Sequence, residues 1–340
     1  MSPAGAFGAL GHSNGTQAQV DSKSVASATT SKKNYQLGVD MDFYTYPGQD
    51  VAEYAEPDVQ YVKSLHANAM SVAFPFFVTG PKASSVYASP ETPSPAELAL
   101  IAQDAKKAGL YFSLRPLLDE WNLKQAHMSR VAYVPPNMAA WFASYERFLK
   151  PYAQMAQKYG IPEFVTGVEF DSFNSSPYWA KLDKYLRKYY HGTLSYSDNW
   201  SVDFPKVVNA SGVVQTDDAY PMMHEPDSAS VARLTRAWDA YLQTRPRGIV
   251  LSEVGIAAQT GAYYEPYNVV SNGKPLIPAI MVHWFTAACD AMVNEHEAGL
   301  YFWAFSFGQQ FNIPPSESSP ASFVDGPGQA AISACFKRLS

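Results

Sequence analysis

The chain has 340 residues, 47 % of them apolar, which is enough for one large core or two medium ones. Its net charge is −6 and only 16 % of its residues are charged, so the basic footprint of a nucleic-acid binder is excluded. The longest apolar runs are of strand length, so no membrane span is expected, and no zinc spacing or Gly-rich phosphate loop suggests a metal or cofactor.

Residues 1–33 are mainly Ala, Ser, Gly, Thr and Gln, a composition that buries too little to order itself, and a flexible leader is expected there. No charged stretch followed by an apolar one opens the chain, so a secreted or periplasmic location is an inference without an intact signal peptide. From Asn34 to Ser340 a single domain is expected, because strand-length apolar runs alternate with helical patterns and no linker interrupts them. The runs are Tyr35–Asp42, Ala69–Phe77, Leu110–Pro116, Phe164–Glu169, Thr193–Ser197, Val213–Asp217, Gly248–Glu253 and Gly299–Phe305. Such near-continuous apolar runs suit parallel strands covered on both faces.

The segments between them have helix punctuation. Ser94-Pro-Ala-Glu97 is a capping box with proline at the first helical position; Leu98, Ile101, Ala102 and Ala105 follow at helical spacing until Gly109. Over Ala139–Tyr159, Trp141, Tyr145, Phe148 and Tyr152 form one stripe, which Pro151 is expected to kink or divide. Tyr178–Tyr190, Ser228–Gln243, Pro278–Glu297 and Gln329–Leu339 are further helices. Eight β-then-α units predict a closed (β/α)8 barrel, the TIM barrel, rather than an open doubly wound sheet. In an exported protein Cys289 and Cys335 can pair and tie the last helix to the barrel; spacing alone does not decide it.

Reactive groups in such a barrel stand at the C-terminal ends of the strands. There the sequence collects Asp40 and Asp42 (strand one), Arg115, Asp119 and Glu120 (three), Glu169 and Asp171 (four), Asn199 and Trp200 (five). Asp217, Asp218 and Tyr220 end strand six, Glu253 ends strand seven and Trp303 lies within strand eight. Strands four and seven stand nearly opposite each other in a ring of eight, so Glu169 and Glu253 can face across its mouth. Two carboxyl groups roughly 5–5.5 Å apart are what retaining glycosidic cleavage needs, one to protonate the leaving oxygen and one to attack the anomeric carbon. Strand-end placement alone does not tell acid from nucleophile.

Glutamates at the ends of strands four and seven resemble the clan A retaining glycosidases, and several segments resemble their endo-β-1,4-mannanase branch, glycoside hydrolase family 113. These are Leu114-Arg-Pro-Leu-Leu-Asp119, Thr166-Gly-Val-Glu-Phe170, Asp218-Ala-Tyr-Pro221, Leu251-Ser-Glu-Val-Gly255 and Gly299-Leu-Tyr-Phe-Trp303. The resemblance implies that Glu169 is the acid/base and Glu253 the nucleophile of an enzyme acting on a β-linked polysaccharide, with β-mannan as first guess. It further implies that Tyr220 hydrogen-bonds the nucleophile and that Trp303 floors the subsite of the attacked sugar. Arg115, Asp119, Trp121 and Asn199 would contact substrate or position the acid. Many clan members have Asn before the acid/base to bind the sugar 2-hydroxyl, whereas this chain has Val168. A bacterial exopolysaccharide or cell-wall glycan is therefore an alternative substrate, with hydrolysis or transglycosylation as the outcome. A non-catalytic carbohydrate-binding barrel is the alternative from another class.

Asp40 and Asp42 share a face, but no histidine or third carboxylate has ligand spacing, so they are read as substrate contacts rather than a metal site. Adjacent strand residues point to opposite faces, so at most one of Asp217 and Asp218 faces the site. Trp200 and His224 are further candidate substrate contacts; His66, His191, His283 and His296 fall on helices or their ends and are read as structural. The 22 Tyr, 19 Phe and 7 Trp mostly fill a core, although rings in Tyr44–Pro47 and Tyr263–Tyr267 can also stack on sugars in a groove. The expected partner is a saccharide, bound by a monomer.

Overall fold

The computed structural model describes residues 34–201, 209–308 and 312–340; the leader expected over 1–33 lies outside them. Eight strands form the barrel: β1 (Gln36–Asp42), β2 (Ala69–Val78), β3 (Tyr111–Leu118), β4 (Glu163–Val168), β5 (Thr193–Asn199), β6 (Val213–Asp218), β7 (Val250–Val254) and β8 (Gly299–Ser306). Each pairs in parallel with the next, and β8 returns to β1 with Leu300 opposite Leu37, closing the ring. Every expected strand is present. A two-residue strand, Val86–Tyr87, runs antiparallel to the end of β2 and was not signalled by any turn pattern.

Among the described residues seven longer helices surround the ring: α1 (Val51–Ser64), α2 (Pro95–Lys107), α3 (Met138–Tyr159), α4 (Tyr178–Leu186), α5 (Val231–Leu242), α6 (Pro278–Asn294) and α7 (Pro327–Leu339); a single helical turn, Trp121–Lys124, follows β3. Among the described residues no helix joins β5 to β6. The capping box of α2 is complete, with the Ser94 amide donating to Glu97 at 2.6 Å and the Glu97 amide donating to Ser94 Oγ. Pro151 does not divide α3. It removes one amide donor, but Trp141, Tyr145, Leu149 and Tyr152 stay buried along one side, so packing holds the helix continuous through the break. Helix α1 has no counterpart among the expected helices, because Pro57 and three acidic residues interrupt its apolar spacing. Val51, Ala55, Val59 and Val62 nevertheless form a buried stripe behind the Asp50 cap.

Cys289 on α6 and Cys335 on α7 form a disulfide. The bond closes a loop of 46 residues, whose restriction of the unfolded chain is worth about 4 kcal/mol. A Cys335→Ser variant is expected to lose about that much in a denaturant titration, and wild type to lose it when reduced.

Candidate active site

Glu169 directly follows β4 in a left-handed backbone conformation, φ 56°, anchored by its amide donating to the Ser197 carbonyl at 2.9 Å. Two residues earlier, Gly167 leaves room for neighbouring rings, since a Cβ there would stand 2.7 Å from Trp179 and Tyr196. The Glu169 carboxyl is buried and takes two donors: Asn199 Nδ2 at 2.7 Å on Oε1 and Arg130 Nε at 2.9 Å on Oε2. The Ser201 amide donates to Asn199 Oδ1 at 3.0 Å, which fixes the amide with its nitrogen toward Glu169.

Glu253 lies within β7. Its Oε1 accepts from Arg115 Nη2 at 2.6 Å and its Oε2 from the Tyr220 hydroxyl at 2.8 Å. A Cβ at Gly255 would stand 3.1 Å from the Tyr220 ring and hydroxyl, so the glycine makes that approach possible. Arg115, 1 % exposed, also donates to Asp218 at 2.6 Å and to Ser197 Oγ at 3.1 Å. Ser197 and Ser252 donate in turn to Asp218, completing a network beneath the barrel mouth. Of the two adjacent aspartates, Asp218 therefore serves the barrel interior. Asp217 turns outward to the Tyr241 hydroxyl and Arg245.

Burial raises the Glu169 carboxyl above its ordinary range, opposed by Arg130 and reinforced by the charge of Asp218. Burial also raises Glu253 well above that range; Asp218 and Glu169 add to the rise and Arg115 opposes it. Burial and the charge of Asp218 thus push both carboxyls the same way, against the donors that each receives.

The pair opens into a cleft of about 420 Å³ bordered by Arg130, Asn199, Trp200, Tyr220 and Trp303. The cleft continues past Trp303 and Val269 into a second groove of about 430 Å³ that reaches Asp42, whose carboxyl burial lifts to about 7. Trp200 stacks on Tyr267 at 5.4 Å. Asp40 is wholly buried below the site and its carboxyl is raised well above the usual range by burial. Asp119 accepts from the Tyr44 hydroxyl at 2.9 Å and the Trp121 amide at 2.8 Å, while Trp121 itself is 71 % exposed. His224 is exposed and packs edge-on against Tyr264; neither it, Asp119 nor Trp121 borders the cleft. Val168 packs with Ala73, Leu117, Val165 and Trp303, so the position before Glu169 is apolar. Among the described residues no group of His, Cys, Asp or Glu is arranged to hold a metal ion.

Sequence reasoning missed Arg130. It reaches Glu169 from a loop 39 residues away, and nothing in its neighbourhood has a period or motif. A larger hollow of about 740 Å³ between α5, α6 and α7 lies on the helix ring, away from the strand ends.

The family model Glycoside Hydrolase Family 113 matches residues 41–317. A solved GH113 β-1,4-mannanase superposes with a TM-score of 0.71 at 16 % identity, covering 90 % of this chain and 99 % of that one. The GH113 β-mannanase AaManA from Alicyclobacillus acidocaldarius gives 0.72 at 19 %, covering 90 % and 98 %. The endo-β-1,4-mannanase from Thermotoga petrophila gives 0.56 at 12 %, covering 91 % and 77 %. At these identities the superpositions show a shared fold. No curated protein sequence matches the chain.

Proposed function

The chain belongs to glycoside hydrolase family 113, whose members are retaining enzymes, and on that premise we propose that Glu253 attacks the anomeric carbon while Glu169 protonates the departing oxygen. The observation that carries this reading is the pair of buried glutamates bordering one cleft, each gripped by its own arginine. Arg115 and Tyr220 both donate to Glu253, which favours the ionised form a nucleophile needs; the role of proton donor is given to Glu169 by the resemblance of its motif at the end of β4. In the second half of the reaction Glu169, now deprotonated, draws a proton from water as it attacks the glycosyl-enzyme. Trp303 supplies an apolar face for the sugar and Trp200 with Tyr267 a second one further out. Asp42 lies where a neighbouring sugar would reach it.

Tyr220→Phe tests the assignment of the nucleophile. A hydrogen bond to a charged group is worth about 1.5–3 kcal/mol, so kcat/KM is expected to fall about 10- to 100-fold. The thermal unfolding temperature should stay close to that of wild type, because the ring still fills its place beside Gly255.

The substrate proposed is a β-linked polysaccharide, β-mannan first, supported by the family and by the likeness to solved mannanases. Val168 favours keeping a second reading, a bacterial exopolysaccharide or cell-wall glycan, because its apolar surroundings offer no amide to a 2-hydroxyl. Reducing ends released from a panel of mannans, exopolysaccharides and cell-wall glycans separate the two; release from none would support a non-catalytic barrel instead. Among the described residues no helix is long and apolar enough to cross a membrane. The disulfide is consistent with an oxidising compartment, and we place the protein outside the cytoplasm or in the periplasm.

A further inference from the structure

A general acid must hold its proton until the glycosidic oxygen takes it, yet the carboxyl proposed for that role is hydrogen-bonded to a permanent cation. Arg130 belongs to the loop between β3 and α3, and its Nε donates to Glu169 Oε2 at 2.9 Å. The arginine is itself fixed at three points. Its backbone amide donates to Glu120 Oε1 at 2.8 Å, its Nη1 donates to the Leu118 carbonyl at 3.2 Å, and its Nε stands 4.0 Å from Glu120 Oε1. Its side chain is 17 % exposed, so the guanidinium acts on Glu169 with little screening by water.

The charged and titratable groups facing Glu169 come from several elements. Arg130 and Arg115, from the β3–α3 loop and from β3, favour the carboxylate; Asp218 at the end of β6 disfavours it. Glu253 on β7 and Tyr220 after β6 also interact with it electrostatically. Arg115 is already shared between Asp218 and Glu253. Arg130 is thus the cation bonded to Glu169, and Glu120 moderates it from the other side.

We propose that Arg130 is a positioning residue, which aims the Glu169 carboxyl into the cleft and lowers the pH at which that group gives up its proton. Glu120 tunes the effect by sharing the guanidinium. The arrangement suits a group that must be an acid in one step and a base in the next. Burial raises the carboxyl so that it holds its proton, and the cation opposes that rise, which eases release of the proton to the glycosidic oxygen. This inference rests on Glu169 being the acid/base.

The test is the pH dependence of kcat/KM on a β-glycoside with a poor leaving group, whose alkaline limb reports the free enzyme's acid. An opposite charge at this range lowers a carboxyl by about 1–3 pH units, so Arg130→Gln is expected to move the alkaline limb up by about one unit or more. Arg130→Lys, which keeps the charge, should bring it back toward wild type. Glu120→Gln keeps an acceptor for the Arg130 amide but frees the guanidinium, so its limb should move down. Opposite displacements by two neighbouring substitutions are not what a merely structural role produces. An alkaline limb at the wild-type pH in Arg130→Gln, or limbs that move the same way in both variants, would overturn the proposal. Should Arg130→Gln fail to fold by circular dichroism, the direction of the Glu120→Gln shift decides alone. Glu169→Gln is the control for the underlying assignment. It should abolish the limb yet retain glycosylation by a substrate whose leaving group needs no proton. If it keeps the limb, the acid/base assignment falls and this inference with it; if it behaves as expected, only the role of Arg130 is in question.

Discussion

Glu253→Gly is expected to lower turnover on the order of 10⁴-fold or more, as removal of a covalent nucleophile does, and added azide is expected to restore it. Removing the side chain leaves a hollow between the two groups that gripped it, the Arg115 guanidinium and the Tyr220 hydroxyl. Both are donors, so the hollow is suited to a small anion. Azide seated there would attack the anomeric carbon from the side Glu253 used. The product is then a glycosyl azide of inverted configuration, identifiable by NMR with an activated aryl glycoside as substrate. The fold should tolerate the change, because Arg115 keeps Asp218 as its partner at 2.6 Å and the buried group becomes neutral overall. Full activity in this variant, or azide rescue with retained configuration, would rule out Glu253 as nucleophile.

The opposite substitution in the same trio, Arg115→Met, is expected to be worse for the fold and as bad for catalysis. It leaves Asp218 and Glu253 as buried carboxyls without their cation, 0 % and 3 % exposed. Breaking a buried ion pair by removing one partner costs about 3–5 kcal/mol, and here one arginine serves two partners. Protons must enter to relieve the repulsion, and a protonated Glu253 is no nucleophile. Denaturant unfolding at pH 7 should show the loss in stability, and activity should disappear without azide rescue. Equal stability of Arg115→Met and wild type would mean that the network is not held by charge. Comparing the two variants separates the chemistry of Glu253 from the electrostatics that keep it ionised.

The barrel was legible because its strands are written locally: Ala69–Val78 is buried at every residue, and Ser94 with Glu97 marks a helix start within four positions. That Glu169 and Glu253 would stand at one mouth was legible because both lie at strand ends of this architecture. Helix α1 was not, since its stripe is interrupted by Pro57 and by the buried Asp58, whose carboxylate accepts from the Gly308 amide 250 residues away. Arg130 was hidden for the same reason, as its contact with Glu169 exists only once the β3–α3 loop has folded over the mouth. The choice between Asp217 and Asp218 was open by sequence and is decided by where Arg115 and Arg245 stand.

Glu169 occupies a backbone conformation that glycine adopts freely and that costs other residues about 1–2 kcal/mol. It also brings a buried carboxyl to that position, so the fold is locally at odds with the residue that its proposed chemistry most requires. A glycine at this point would relieve the backbone but leave Arg130 and Asn199 without the carboxyl they bond. The strained position persists because the surrounding structure holds it, and a substitution there trades relief of the backbone against the loss of those bonds.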